Sequence, residues 1–365
     1  MTASSAWVQG HEVLYLDELK PLAWKGLLAI WQDRGLQSRL AGKPRVVKSP
    51  TGLPYVRWPI LSGLNSLLQY IWLALQPRLA GPVDILVFYG VPQPLLQDLL
   101  IRLFPAARLV YDCADDKETS FSDLRSRKHG EAVRGWEKSL VDKVQILGSI
   151  NARNLGTLDM NRRKPWAVFG NGVDQNLFRP HPRTTLFNGC FTLVYAGAIN
   201  ERLDLERLKS LLSSNPEKMQ LHFYGNEHRV LDQLKSFPNF HHHGLIPFQS
   251  LPSALSQYDF GLLPYRDIPS IQFSFPLKTL QYLSMGLPVL AFPYQGIDLF
   301  SGHVHLIENQ IPDLSKLPKP EPAIVAGYSW STLAERYLDF LQAPRSAPFP
   351  ATPSEAQATL SHVTR

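Results

Sequence analysis

The residues best suited to chemistry lie in one run of the 365-residue sequence, Pro276-Leu277-Lys278-Thr279-Leu280-Gln281-Tyr282-Leu283-Ser284-Met285-Gly286-Leu287-Pro288-Val289-Leu290. Proline is favoured in a helix's first turn and glycine just past its last, so the run predicts a short helix over 277–285 that leads through Leu287-Pro288 into a buried strand. The first turn of a helix presents backbone amides that no carbonyl of the helix accepts, and these attract anions. Lys278 adds a full positive charge there, which with Pro276 and Leu277 gives a diphosphate site in outline. Gln281, one turn on, is placed to reach a ribose hydroxyl beside the phosphates. The plain structural alternative is an amphipathic helix with a solvated lysine, and the neighbouring motifs must decide.

Tyr195-Ala196-Gly197-Ala198-Ile199 closes a strand in a small-residue turn, followed by Asn200-Glu201-Arg202. Gly197 lets backbone approach a ligand closely, and Arg202 can bind phosphate through two parallel hydrogen bonds; the bland reading is a tight turn with a surface arginine. Tyr111-Asp112-Cys113-Ala114-Asp115-Asp116 follows another strand, where parallel sheets place their catalytic loops. Three carboxylates within five residues repel one another, and burial raises a carboxyl toward the range of a general base. Asp115 is the expected base and Asp112 a structural partner, against the alternative that one acid caps the next helix while the others are solvated. His241-His242-His243 suggests a metal, but adjacent strand residues face opposite sides and cannot all reach one ion, so no metal site is expected. His243, just before Gly244, is assigned to the nucleotide-base pocket.

Positioning these groups requires strands and helices in alternation, the pattern of parallel βαβ units. Strands are predicted at 13–16, 55–58, 83–88, 108–111, 144–148 and 166–169, then at 191–196, 220–224, 240–242, 259–264 and 288–292. Helices are predicted at 64–75, 94–104, 131–141, 203–212, 251–257 and 277–285, with a last one at 329–342 whose apolar residues fall on one face. A Pro- and Gly-bearing stretch divides the pattern, giving an N-terminal acceptor-side domain at 1–178, a linker at 179–190, and a C-terminal nucleotide-binding domain at 191–328. Residues 343–365, rich in Pro, Ala, Ser and Thr, read as a disordered tail.

An apolar share of 44% and a charged share of 19% fit a folded chain and exclude a wholly disordered one. The net charge of +6 sits in the first half: residues 1–180 hold 23 Lys/Arg against 16 Asp/Glu, residues 181–365 hold 14 against 15. An anionic partner suits that surplus. Cys113 and Cys190 lie far apart and carry neither a metal spacing nor a disulfide framework. No signal peptide or spanning segment opens the chain, so a cytoplasmic protein is expected. A helix at 64–75 with Leu67, Leu68, Tyr70, Ile71, Trp72 and Leu75, near Arg57 and Arg78, suits peripheral attachment at the inner face of a membrane, with core packing as the equally good plain alternative.

Several of these segments resemble, in the right order, the family-4-like glycosyltransferases of the GT-B fold, the bacterial exopolysaccharide type. Asn171-Gly172-Val173-Asp174 looks like the junction motif, Tyr195-Ala-Gly-Ala-Ile with Arg202-Leu-Asp204 like the opening turn of the donor domain, and Tyr258 through Tyr265 like the strand before the donor site. Pro276 to Val289 resembles the donor helix, and Ser329-Trp330 the terminal helix, which in the family crosses back onto the first domain. The resemblance covers most of 80–342. It implies an α/β fold of two Rossmann-like domains facing across a cleft, and a donor site of Gly197, Arg202, His243, Tyr265, Pro276, Leu277, Lys278 and Gln281. Many retaining members carry two glutamates eight residues apart where this chain has Phe273 and Gln281. A lysine followed three residues later by glutamine looks more like the xanthan glucuronosyltransferase, an inverting enzyme. Family members also begin with a strand and glycine turn ahead of the Gly10-His11-Glu12-Val13 equivalent, where this chain has nine residues.

The expected function is transfer of a sugar from a nucleotide diphosphate, UDP-sugar first, to a hydroxyl of a lipid-linked or polysaccharide acceptor. No cofactor and no nucleic-acid partner are expected. A nucleotide-sugar epimerase or hydrolase on the same plan, and a non-catalytic nucleotide-sugar-binding subunit, remain the alternatives.

Overall fold

The computed structural model describes residues 14–16, 45–47, 83–113, 127–158, 164–183, 189–300, 302–308 and 313–342, with isolated positions between 67 and 75. Two compact units emerge, one holding the chain up to Phe169 and the residues from Ala334, the other holding Gly170–Leu333.

In the first unit, short strands β1 (Leu14–Leu16) and β2 (Arg45–Val47) pair in parallel. Beyond them β3 (Ile85–Phe88), helix α1 (Pro94–Leu103), β4 (Arg108–Cys113), α2 (Arg127–Lys143), β5 (Ile146–Ser149), α3 (Ala152–Leu158) and β6 (Trp166–Val168) follow in turn. The sheet order β3-β4-β5-β6 is parallel throughout and matches chain order, each crossover carried by a helix, the arrangement that right-handed βαβ units generate. Val110, Ile146 and Phe169 form a core completed by Tyr337, Phe340 and Leu341 from the chain's last helix. Arg108 Nη1 donates to the carbonyl of Leu341 at 2.6 Å.

The second unit runs β7 (Phe191–Ala196), α4 (Leu205–Ser214), β8 (Met219–Tyr224), β9 (Phe240–His242), α5 (Leu251–Leu255), β10 (Phe260–Leu263), α6 (Pro269–Gln272), α7 (Leu277–Ser284), β11 (Val289–Ala291), β12 (Val304–Leu306) and the first turn of α8 (Trp330–Gln342), whose residues from Ala334 belong to the first unit. The six strands make one parallel sheet in the order β12-β11-β10-β7-β8-β9. All four residues of β10 are buried, as a strand covered on both faces requires. Helix α7 is locked to this sheet by Tyr282, whose hydroxyl accepts from the Ala196 amide at 3.1 Å and donates to the Val194 carbonyl at 3.3 Å. Gly261, in β10, leaves space for that ring: a Cβ there would overlap Tyr282 Cδ2 and Cγ.

Gly286 ends α7 with φ at +70°. The Leu287 amide returns to the Tyr282 carbonyl and the Gly286 amide to Leu283, both at 3.0 Å, the double closure that a left-handed residue after a helix permits.

The units divide at 169/170, ahead of the expected domain end at 178, because 173–178 are tied to the second unit. Val173 donates to Tyr328, Gln175 Nε2 to Val325, and Ser284 Oγ to the carbonyl of Phe178. The expected strand at 55–58, part of the 179–190 linker and the tail at 343–365 lie outside the described residues. Of the 64–75 helix, residues 67, 70, 71 and 74 are helical, and Leu67, Ile71 and Leu75 are exposed; Leu68, Trp72, Arg57 and Arg78 lie outside. Among the described residues no helix is long and apolar enough to cross a membrane.

Gly261→Ala forces the Tyr282 ring off the sheet, and overpacking of this kind costs about 1–3 kcal/mol. Chemical denaturation should show that loss, and a stability equal to wild type would mean α7 is not held through Tyr282.

Candidate functional site

The turn after β7 is fixed from three sides. Tyr195 is buried and its hydroxyl donates to the Ala198 carbonyl at 2.7 Å. Asn226 accepts from the Ile199 amide at 3.0 Å through its Oδ1 and donates to the Ile199 carbonyl at 3.1 Å through its Nδ2. The Gly197 amide donates to the Tyr224 carbonyl at 2.9 Å.

Onto this turn comes Lys278 from the head of α7. Its Nζ lies 5.7 Å from the centre of the Tyr195 ring, close enough for the ring's negative face to attract the ammonium. A Cβ on Gly197 would overlap Lys278 Cε and sit 2.7 Å from Nζ, so glycine is what lets the side chain lie there. Tyr265 packs edge-on against Tyr195, centroids 6.0 Å apart, and against Tyr294 at 6.1 Å.

Arg202 is placed by backbone. Its amide donates to Asn200 Oδ1 at 3.0 Å, its carbonyl accepts from the Arg266 amide at 2.9 Å, and Leu203 pairs with Tyr265 in an antiparallel bridge. Residues 202–204 and 264–266 thereby form a two-stranded ribbon. Burial raises the Tyr195 phenol well above its ordinary range, with Tyr265 adding to the shift and the positive charge of Arg202 opposing it. Tyr195 is therefore a neutral platform beside two cations.

Gly197, Arg202, Tyr265 and Lys278 thus gather around Tyr195, with Pro276 and Leu277 at the start of α7. The helix end is less open than its sequence suggests: the Leu277 amide turns back to the Phe275 carbonyl at 2.8 Å and that of Thr279 to Pro276 at 2.9 Å. Positive charge at this end comes chiefly from the Lys278 ammonium. Gln281 is half-buried one turn further on.

His243 lies in a different cluster. Its ring stacks on Tyr224 at 4.6 Å, and its Nε2 shares a hydrogen bond of 2.9 Å with Nδ1 of His222, which in turn stacks on His241 at 4.7 Å. His242 faces the other way, toward the Gly225 carbonyl and Glu227. Among the described residues no group of three His, Cys, Asp or Glu side chains could hold a metal. Burial, then the neighbouring His241 and His243, push the His222 imidazole down to about 3.

Asp115, the expected base, lies outside the described residues. Before it, the Tyr111 hydroxyl donates to buried Glu137 at 2.5 Å, and Cys113 Sγ lies 3.9 Å from the same carboxylate. The Asp112 carboxylate borders Gly148 and faces the Tyr337 hydroxyl, whose pKa rises through burial and that negative neighbour.

Tyr195, Asn226 and Tyr282 hold the site without having been singled out in the sequence. Tyr195 carried a signal, standing in the same motif as Gly197. Asn226 carried none, because its partner Ile199 is 27 residues away.

Residues 191–312 match the family of glycosyl transferases group 1. No curated protein matches the chain. Among solved structures, a glycosyltransferase from Rickettsia africae ESF-5 superposes with a TM-score of 0.61 at 11% identity, covering 93% of this chain and 92% of that one. Sucrose-phosphate synthase from Thermosynechococcus elongatus gives 0.57 at 14%, covering 100% and 90%. The Anabaena protein HepE, in complex with UDP-glucose, gives 0.52 at 14%, covering 96% and 94%. At these identities the likeness shows the fold, α/β with Rossmann-like parallel sheets of the GT-B type.

Two measurements probe the geometry. Gly197→Ala displaces chiefly the flexible end of Lys278, with the Tyr195 hydroxyl 3.0 Å away giving slightly, so the fold should stand while diphosphate affinity drops about tenfold or more; unchanged affinity would separate Lys278 from the site. In the second, His222 is held neutral in the folded state, so between pH 6.5 and about 3 the unfolded chain binds a proton there that the folded chain does not. Stability is then fully present above 6.5 and declines as pH falls toward 3. His222→Leu should remove that component from unfolding curves taken across the range, and superimposable pH profiles would refute it.

Proposed function

We propose that this chain is a glycosyltransferase that takes a sugar from a nucleotide diphosphate, UDP-sugar first, and passes it to a hydroxyl of a lipid-linked or polysaccharide acceptor. The observation that carries this is the Lys278 ammonium laid over Gly197 and the Tyr195 ring, with Arg202 on the adjoining ribbon. Two cations converge on a turn at the C-terminal end of a parallel strand, where ligands bind in open α/β sheets. The group 1 glycosyltransferase match spans these same residues, and HepE, which shares the fold, is seen with UDP-glucose.

In the proposed reaction the acceptor oxygen forms a bond to the anomeric carbon while the bond from that carbon to the diphosphate oxygen breaks. The electron pair leaves on the diphosphate, whose growing charge Lys278 and Arg202 offset, a preorganised electrostatic role with no metal required. The acceptor's proton passes to Asp115 as general base. Gln281 and His243 hold the ribose and the base, and Pro276, Leu277 and Tyr265 shape the walls. Exposed Leu67, Ile71 and Leu75 with the basic first half support work beside an anionic membrane.

Lys278→Ala should abolish transfer and weaken UDP binding about tenfold or more, read by product formation and by calorimetry. Turnover at the wild-type rate would remove Lys278 from the mechanism. Undiminished UDP binding by wild type with no transfer to any acceptor would mark a binding subunit instead.

A further inference from the structure

A cavity of about 520 Å³ lies in the second unit, with Glu201, Leu203, Leu205, Arg229, Val230 and Arg266 among its walls; neither Lys278 nor Gly197 lines it. Leu203 and Val230 are buried and Leu205 half-buried, so its floor is aliphatic. The rim is charged.

Most of that charge is already paired. Glu201 Oε1 accepts from Arg229 Nη2 at 2.8 Å, Glu206 holds Lys209 at 2.9 Å, and Asp204 caps α4 by accepting from the Arg207 amide at 3.1 Å. Arg266 differs. Its Nη1 reaches only the Glu201 carbonyl, at 3.4 Å, and among the described residues no carboxylate pairs with it. One guanidinium with its donor fork uncommitted, above an aliphatic floor and beside a carboxylate–guanidinium pair, defines a ligand with three properties. It bears a negative group, it offers hydroxyls that both donate and accept, and it has a C–H face.

We propose that this cavity binds an anionic monosaccharide unit, a sugar carrying a carboxylate or a phosphate, at a site separate from the nucleotide at Lys278. The volume lies within the range of small-molecule pockets. The pyranose C–H face meets Leu203, Leu205 and Val230, the anion meets Arg266, and the hydroxyls meet Glu201, Arg229 and Gln233. One wall is the ribbon of 202–204 and 264–266, in which Arg202 and Tyr265 belong to the anion site while Leu203 and Arg266 face the cavity. An occupant is thus one residue removed from the donor cluster in both segments. The choice of a sugar rests on the transferase reading; the cavity and its uncommitted guanidinium do not.

The test is calorimetric titration of the full chain with glucuronate, glucose 1-phosphate, inorganic phosphate and neutral glucose, on wild type, Arg266→Gln and Gln233→Trp, each also titrated with UDP. Saturable binding is expected for at least one anionic sugar, and the tighter of the two identifies the anion. Arg266→Gln should weaken it about tenfold or more, and Gln233→Trp, which fills the cavity from an exposed wall, should abolish it. UDP affinity should stay within about twofold in both variants, showing that they remain folded. Three results overturn the proposal: glucose or inorganic phosphate matching the anionic sugars, no saturable binding of either anionic sugar, or binding untouched by both substitutions. Wild type that fails to bind UDP yet binds an anionic sugar through Arg266 would sink the transferase reading and leave the cavity site standing.

Discussion

The second unit is organised around keeping one ammonium where an anion can meet it. Holding a lysine side chain in one conformation costs up to about 2 kcal/mol of rotamer freedom. A cation over an aromatic face returns roughly 0.5–1 kcal/mol at an exposed site and more when desolvated. The two are comparable, so Lys278 can rest on Tyr195 before any ligand arrives, provided the ring does not move. Tyr195 is held by its bond to Ala198 and by Phe223 and Tyr265 on either side. The helix that delivers Lys278 is pinned by Tyr282 and closed at Gly286. Gly197, Gly225 and Gly261 are places where a methyl group would break this arrangement, the first beneath the lysine, the second against the Gly197 carbonyl and the third beneath the tyrosine.

How much of this was legible depended on the range of the interaction. Helix α7 was readable because its stop is local: a glycine at positive φ with returning amides is written in consecutive residues. The parallel sheets were readable from apolar runs between helix-patterned stretches. Strands β2 and β12 and helices α3 and α6 went unread; β11 is as short as those two strands but was readable because it lies within the apolar run 288–292. The grouping of Gly197, Arg202, Tyr265 and Lys278 came through family resemblance, since nothing periodic links residues so far apart. Asn226, which clamps Ile199, had no signal of either kind.

The histidines show why a composition cue needs a sheet register before it can mean anything. Three adjacent imidazoles suggested a metal, and strand alternation argued against it. The register pairs His222 with His241 on neighbouring strands, putting those rings on one face with His243 while His242 turns to the other. The His222–His243 bond runs edge to edge between nearly coplanar rings, centroids 5.2 Å apart and 8° from parallel. One ring nitrogen donates its N–H to the lone pair of the other, so neither of these two nitrogens is turned toward an ion. Burial of such a pair favours the neutral form, and the register sets it on the face of the sheet opposite Tyr195, since Val194 pairs with His222 and Tyr195 with Phe223.

The last helix shows how a core can depend on residues remote in sequence. In the first unit Tyr337 meets Phe169 edge-on at 4.7 Å, Phe340 lies 5.4 Å from the same ring, and Leu341 completes the group against Val110 and Ile146. In the second, Trp330 occupies the space over Gly172, where a Cβ would come within 2.5 Å of the indole. At Val110 and Ile146, α8 thus shares the cover of β4 and β5 with Phe169, Ile85 and Ala167. Asp112 is presented from a strand whose packing is finished only when α8 arrives.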